Sequence, residues 1–295
     1  MQRKDFLKKS LLGGSMLITS ALSAHLIRND IDELKELETV SLKQVGFNHL
    51  PNLKSAIMDN KVLHKADTRG HANHGWLDSH HTFSFASYYN PDRMHFGVLR
   101  VLNDDIVSAG MGFGMHPHDN MEIISIPLEG DLEHKDSMGN TAVIRNGDIQ
   151  VMSAGTGIRH SEYNKNKNED VKFLQIWLFP NKKNVQPRYD QITLNPDDRH
   201  NNLQQIVSPD AGDAGVWIHQ QAWFFLGNLD KDNTQQYQVK SKENGVYVFV
   251  LSGNVTVDGV QLSSRDGIGI WDTGTIDIKA DTNTEILLMD VPMSI

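Results

Sequence analysis

The stretch "DLEHKDSMGNTAVIRNGDIQVM", residues 131–152, decides the fold class. Apolar and polar residues alternate on both sides of Ser137–Asn140 and again on both sides of Asn146-Gly147. Alternation is the period of a half-buried strand, and Asn and Gly accept the positive φ angles that tight hairpin turns demand. The segment therefore reads strand, turn, strand, turn, strand. Upstream, "HTFSFASYY" (81–89) alternates in the same way, and "GVLRVLNDD" (97–105) alternates and ends in a turn. Long helical periodicity is absent from this region. The class is all-β, and the even spacing of short strands points to a sandwich or barrel.

The chain also repeats itself. "PLEGDLEHKDSMGN" from Pro127 is similar to "VLSGNVTVDGVQLS" from Val250, an offset of 123 residues. "RNGDIQVMSAGT" from Arg145 is similar to "RDGIGIWDTGT" from Arg265, an offset of 120 residues. Two matches in order at nearly one offset imply a duplicated unit. "NKNKNEDVK" (164–172) reads as a solvated loop and "FPNKKNVQPRYDQ" (179–191) as the crossing between the two units. The boundaries that follow are a first unit over 59–185 and a second over 186–295.

Composition narrows the function. The 295 residues carry a formal net charge of -9, which argues against nucleic-acid or anionic-membrane binding. The absence of Cys excludes disulfides, thiolate metal sites and a Cys nucleophile. At the N-terminus, Arg3, Lys4, Lys8 and Lys9 precede an uncharged run from Ser10 to Ala24 with small residues at Ala21, Ser23 and Ala24. That is the layout of an export signal, and the run is too short and too rich in Gly and Ser to span a membrane. "RKDFLKKS" resembles the twin-arginine motif with Lys4 in place of the second Arg. The expectation is a leader over 1–30, a tether over 31–58 and a periplasmic or exported protein without stable membrane insertion. The alternative is a cytoplasmic chain with a frayed N-terminal helix.

The chemistry-bearing residues lie in the first unit. In a strand, residues i and i+2 share a face. "GMHPHDNME" therefore puts His116 and His118 on one face, and "GIRHSEYN" does the same for His160 and Glu162. Alone, the first pair can be surface or hydrogen-bonded core, and the second a simple hydrogen bond between neighbours. On facing strands, the four present three imidazoles and a carboxylate to one point. Such a set suits a divalent iron, manganese, nickel, copper or zinc ion and leaves positions open for substrate and dioxygen.

The spacing Gly110, His116-x-His118, Glu122 follows the first cupin motif, with the next Gly one residue late at Gly130. Gly147, His160 and Asn164 resemble the second, with Ser153 where many cupins carry Pro. "RGHANHGWLDSHHTFSFASYY", "GFGMHPHDNMEIISIPLEGDLEHKDSMGN", "GDIQVMSAGTGIRHSEYN", and "LQIWLFP" followed by "PRYDQ" resemble bacterial pirins of the quercetinase type. The resemblance covers residues 60–295 and is densest over 69–190.

It implies a bicupin: two antiparallel β-barrels of jelly-roll type packed face to face, with one metal in the N-terminal barrel. The family's ligands fall on His116, His118, His160 and Glu162. Glu122 is given the role of orienting an imidazole, and His134 reads as structural rather than as a pocket residue. Asp119-Asn120 stand where some pirins carry Arg-Gly, which changes the charge at the metal's rim. At the offsets of the repeat, the four ligands map onto Val239, Ser241, Ala280 and Thr282, and no His follows His219, so one metal per chain is expected.

The activity that the resemblance implies is that of a quercetin 2,3-dioxygenase, opening a flavonol-like ring with dioxygen. Fe(II) is the expected ion, with nickel, manganese, copper and zinc compatible, and Glu162 is the expected general base. The alternatives are a metal-dependent redox-sensing or binding pirin without turnover, and a cupin isomerase or lyase that needs no dioxygen.

Overall fold

The computed structural model describes residues 60–295; the expected leader and tether lie outside the described residues. In chain order the strands are β1 (Lys61–His64), β2 (Gly70–Asn73), β3 (Leu77–His81), β4 (Leu99–Val107), β5 (Gly112–His118), β6 (Glu122–Glu129), β7 (Leu132–Asp136) and β8 (Thr141–Ile144). They continue as β9 (Asp148–Ser153), β10 (Ile158–Asn164), β11 (Val171–Leu178), β12 (Arg188–Thr193), β13 (Leu203–Ser208), β14 (Val216–Trp217) and β15 (Trp223–Leu229). The last are β16 (Thr234–Gln238), β17 (Asn244–Ser252), β18 (Asn254–Val257), β19 (Val260–Ser263), β20 (Gly267–Ile270), β21 (Thr275–Ala280) and β22 (Thr284–Pro292). Among the described residues, the helical elements are two short 3-10 turns, and no helix is long and apolar enough to cross a membrane.

The strands form four sheets. In the first unit a seven-stranded sheet, β12-β9-β6-β11-β4-β3-β2, faces a four-stranded sheet, β5-β10-β7-β8. In the second, β1-β20-β17-β22-β15-β13-β14 faces β16-β21-β18-β19. The small sheets correspond strand for strand, as do β9-β6-β11-β4 and β20-β17-β22-β15 of the large ones; the outer pairs differ, β2 and β3 being antiparallel and β13 and β14 parallel. The expected all-β bicupin is present, each half a two-sheet jelly roll rather than a sheet closed into a cylinder.

Alternation explains the packing. The two large sheets bury both faces, so their central strands read as unbroken apolar runs such as "GVYVFVL". Ile124 and Ile126 of β6 and Leu174 and Ile176 of β11 share one core with Tyr247 and Phe249 of β17 and Leu287 and Met289 of β22. That core joins the two units face to face. Gly267 and Gly269 make room in it: a Cβ there would meet the Tyr247 hydroxyl at 2.3 Å and the Phe96 ring at 2.4 Å. The intervening residues of the second unit, among them Val246, Val248, Ile268, Ile286 and Leu288, fill its own interior.

Three expectations are corrected. The first concerns the unit boundaries, because the outermost strand of each large sheet is exchanged. β1 pairs with β20 of the second unit, and β12, beyond the expected boundary at 185, pairs with β9 of the first. Each exchanged strand covers an edge that would otherwise offer unpaired backbone groups to solvent. Secondly, "HTFSFASYY" does not run on as a strand. β3 ends at His81, Phe85 and Tyr88 exchange backbone hydrogen bonds across a tight turn, and Ala86 takes a φ of 48°. Thirdly, Asn103-Asp104-Asp105 is the interior of β4, not a turn. Asp104 binds Arg69 at 3.2 Å and Arg265 at 2.9 Å across the join of the two units, while Asn103 and Asp105 are buried on the opposite face.

Candidate metal centre

β5 and β10 are antiparallel neighbours, with His160 directly opposite His116 and Ile158 opposite His118. Alternation accounts for both His-x-His and His-x-Glu sharing a face, as the sequence implies. It does not account for Phe113, which has the opposite parity to His116 yet also lines the cavity. A bulge explains it: Glu162 pairs with Phe113 while His160 pairs with His116, so β5 carries one extra residue between them. The bulge carbonyl of Gly114 accepts a hydrogen bond from His116 Nδ1 at 2.7 Å, which fixes the tautomer and leaves Nε2 as a ligand.

The three imidazoles converge. His116, His118 and His160 each offer a nitrogen within 4.8 Å of the others, and their ring centroids lie 4.4 to 4.9 Å apart. Nε2 of His118 and Nε2 of His160 are buried without a hydrogen-bond partner. Buried polar atoms are rarely left so, and a divalent ion is the partner that fits three lone pairs aimed together. Burial, followed by the neighbouring imidazoles, lowers the pKa of His118 and of His160 to about 3. Both are thus neutral, the state a metal ligand needs.

His160 is held from behind. Asp136 accepts from the backbone N–H groups of Met138 and Asn140 and from Asn140 Nδ2. Burial raises the pKa of Asp136, but these bonds and the one from His134 outweigh it and hold the carboxyl below its usual range. A carboxylate only accepts, so His134 Nε2–H donates to Asp136 Oδ2 at 3.3 Å. His134 Nδ1 then accepts from His160 Nδ1–H at 3.5 Å, and the lone pair of His160 is left on Nε2. His134, fully buried beside Tyr189, thus does more than fill space. Partners of this kind tune a site by 10–100-fold, so His134→Phe is expected to weaken divalent-metal affinity by about that factor. Zinc titration checks it; unchanged affinity would reduce His134 to a packing residue.

Glu162 lines the same cavity but is not part of the three-nitrogen cluster. It is 2% exposed and accepts from Ser125 Oγ at 3.1 Å and Gln175 Nε2 at 2.9 Å. Burial pushes its pKa up. Glu122, expected to orient an imidazole, does not: it faces away from the cavity, pairs with Ser153 Oγ at 2.7 Å, and burial raises its pKa to about 7. Alternation again gives the reason, since Ile123 and Ser125, not Glu122, share the inward parity of β6. Asn120 closes the turn after β5 with a φ of 44°.

The cavity holds about 250 Å³ and has aromatic walls of Phe85, Phe113 and Trp177. Ser79, His81, Asn103, Asp105 and Gln175 add polar groups. Ser79 donates to Asp105, His81 Nδ1 donates to Asn103 at 2.9 Å, and Trp177 Nε1 donates to Gln175 at 3.1 Å. None of these was assigned a role from sequence. For Asn103, Asp105 and Gln175 a signal was present: polar residues at inward positions of the largely apolar strands β4 and β11.

The second unit has no counterpart to this centre among the described residues. Strand pairing, rather than the sequence offsets, gives the equivalences. The partners of His160 and Glu162 on β5 and β7 correspond to those of Ile276 and Ile278 on β16 and β18. His116 and His118 then correspond to Tyr237 and Val239, not to Val239 and Ser241, and His134 to Val257. All five of these residues lie in the apolar interior of the second unit. The offset changes along the chain because loops differ in length between the units.

Two jelly rolls, one with a histidine cluster at the end of an aromatic cavity and one filled with apolar side chains, define a bicupin whose interior candidate centre lies, among the described residues, in the first unit. The chain belongs to the pirin family, whose profile matches residues 62–178; a profile described as the quercetinase C-terminal cupin domain matches residues 205–291. An Escherichia coli protein named quercetin 2,3-dioxygenase is 49% identical over 230 residues, 78% of this chain and 98% of its own. A pirin-like protein of Caulobacter vibrioides is 40% identical over 225 residues, 76% of this chain and 96% of its own. The crystal structure of a bacterial pirin from Escherichia coli in complex with nickel(II) has a TM-score of 0.75 at 48% identity, covering 79% of this chain and 99% of that one.

Proposed function

We propose that the protein is a metal-dependent dioxygenase acting on a flavonol-like aromatic, with His116, His118 and His160 holding one divalent ion. The observation that carries this reading is the pair of unpartnered, buried Nε2 atoms of His118 and His160 at the end of an aromatic-walled cavity. The name of the 49% identical relative and the nickel in the similar pirin support it. Iron(II) is the ion we put first, because three imidazoles with a carboxylate nearby suit dioxygen chemistry; nickel, manganese, copper and zinc fit the same donors.

When bound, the ion supplies Lewis-acid charge that stabilises a phenolate oxygen. The chain's residues do the rest. Phe85, Phe113 and Trp177 receive a flat ring and exclude water. Glu162, its pKa raised by burial, takes the proton of the substrate hydroxyl. Ser125 and Gln175 aim its oxygens, and Gln175 is itself held by Trp177. Each of its oxygens accepts one of those bonds and keeps a second lone pair, so service as the fourth ligand requires neither bond to be given up.

The test is dioxygen uptake by iron-loaded protein given quercetin, with ring-opened product followed by mass. Uptake is expected in the loaded chain and not in the chelator-stripped one. Loaded protein that consumes no dioxygen with quercetin or other flavonols would remove this reading and favour a redox-sensing pirin.

A further inference from the structure

The hairpin of β2 and β3 has two faces. Its inner face, through Ala72, Ser79 and His81, lines the cavity. Its outer face carries His71 directly opposite His80, and Asp78 two residues before His80 and so on the same side. We propose that this outer face is a second site for a divalent transition metal, held by His71, Asp78 and His80, separate from the centre inside the first unit.

The arrangement is already drawn together. One ligand atom from each of the three lies within 4.8 Å of the other two. His71 Nε2 is 2.8 Å from Asp78 Oδ1, and His80 Nδ1 is 3.6 Å from the same oxygen. Asn73 Nδ2 donates to Asp78 Oδ2 at 3.0 Å, which leaves Oδ1 turned to the imidazoles. The two rings are stacked with centroids 4.4 Å apart, so few degrees of freedom remain to be lost on binding. Two imidazoles and a carboxylate, with positions left open to water, suit zinc, nickel or copper rather than magnesium or calcium.

The surrounding charges permit a cation. Burial and then Arg69 lower the pKa of His80, which favours its neutral, ligating form. Asp104, which pairs with both Arg69 and Arg265, offsets part of the positive charge beside the site. An ion would take the place of the hydrogen bond between His71 Nε2 and Asp78 Oδ1, with the imidazole N–H of His71 on Nδ1. The three residues are 34 to 50% exposed, so entry needs no opening of the fold. An ion there clips together the two strands whose other face forms the cavity wall.

Zinc titration of the chelator-stripped full chain, by calorimetry and by metal analysis after gel filtration, tests the site. The parent is expected to bind one equivalent more than His80→Phe, which keeps a ring for the stack, and one more than Asp78→Asn. His118→Ala, which removes a ligand of the inner centre, is expected to keep the hairpin equivalent, so failure of one centre is distinguishable from failure of the other. Stoichiometry unchanged by both His80→Phe and Asp78→Asn, or no zinc bound by His118→Ala at micromolar concentration, would overturn the proposal.

Discussion

His118→Ala is expected to lower affinity for metal at the inner centre by more than about a hundredfold and to abolish dioxygen uptake. The magnitude follows from comparison: residues that merely orient a ligand are worth 10–100-fold, so a ligand is worth more. Apo-protein stability should change little. The variant loses the ring's edge-on packing against Trp177 at 4.8 Å, a cost of a few kcal/mol. It also removes a buried nitrogen that has no partner in the apo chain, a relief of about 1–3 kcal/mol. Glu162→Ala differs, because it strands Ser125 and Gln175 and should destabilise the fold. Glu162→Gln keeps the side chain's shape and removes its basicity. With Glu162 acting as the base, that variant should bind metal and lose turnover; if turnover survives, the base lies elsewhere. Metal titration beside thermal unfolding separates these outcomes. Parent-like metal affinity in both His118→Ala and His160→Ala would rule out the three-histidine centre.

Asp105→Asn is expected to stabilise the protein at pH 8 and to have little effect near pH 4. Asp105 is fully buried in the cavity wall, and burial raises its pKa to about 7 against an ordinary value of 3.8. The folded chain therefore binds this proton more tightly than the unfolded chain. The stability contributed by this carboxyl is fully present below pH 4, falls as the pH rises from about 4 to about 7, and stays lost above that. At 1.36 kcal/mol per unit, the full loss is on the order of 4 kcal/mol. Asn carries no charge, fits the same volume, and can still accept from Ser79. For a domain of this size the gain at pH 8 is on the order of 10 °C in melting temperature. Scans of the chelator-stripped protein at pH 4.5 and pH 8 measure it; a gain no larger at pH 8 than at pH 4.5 would contradict the assignment.

The sequence by itself determined the class and the ligand-bearing strands. Turn residues at Ser137–Asn140 and Asn146-Gly147 punctuate alternating runs, and the strands fall between them. The period of two put His116 with His118 and His160 with Glu162, because face sharing inside a strand is local geometry. The repeat was legible for the same reason: both copies need Gly and Asn at corresponding turns.

What depended on partners distant in the chain was decided only by the tertiary structure. The bulge in β5 brings Phe113 to the cavity, and it is defined by its register against β10, which alternation within β5 cannot reveal. Asn103-Asp104-Asp105 looks like a turn and is a strand, since its side chains are satisfied by Arg69 and Arg265 on one face and by Ser79 and His81 on the other. The exchange of β1 and β12 assigns each to the unit it covers rather than the unit it adjoins in sequence. Glu122 satisfies the spacing of a motif, yet its parity on β6 turns it away from the imidazoles. His134 acquires its part only because β7 lies beside β10, which closes the path from Asp136 to His160. Local periodicity sets the face of each side chain; register and strand order, which are fixed by burial across the whole molecule, set what that face meets.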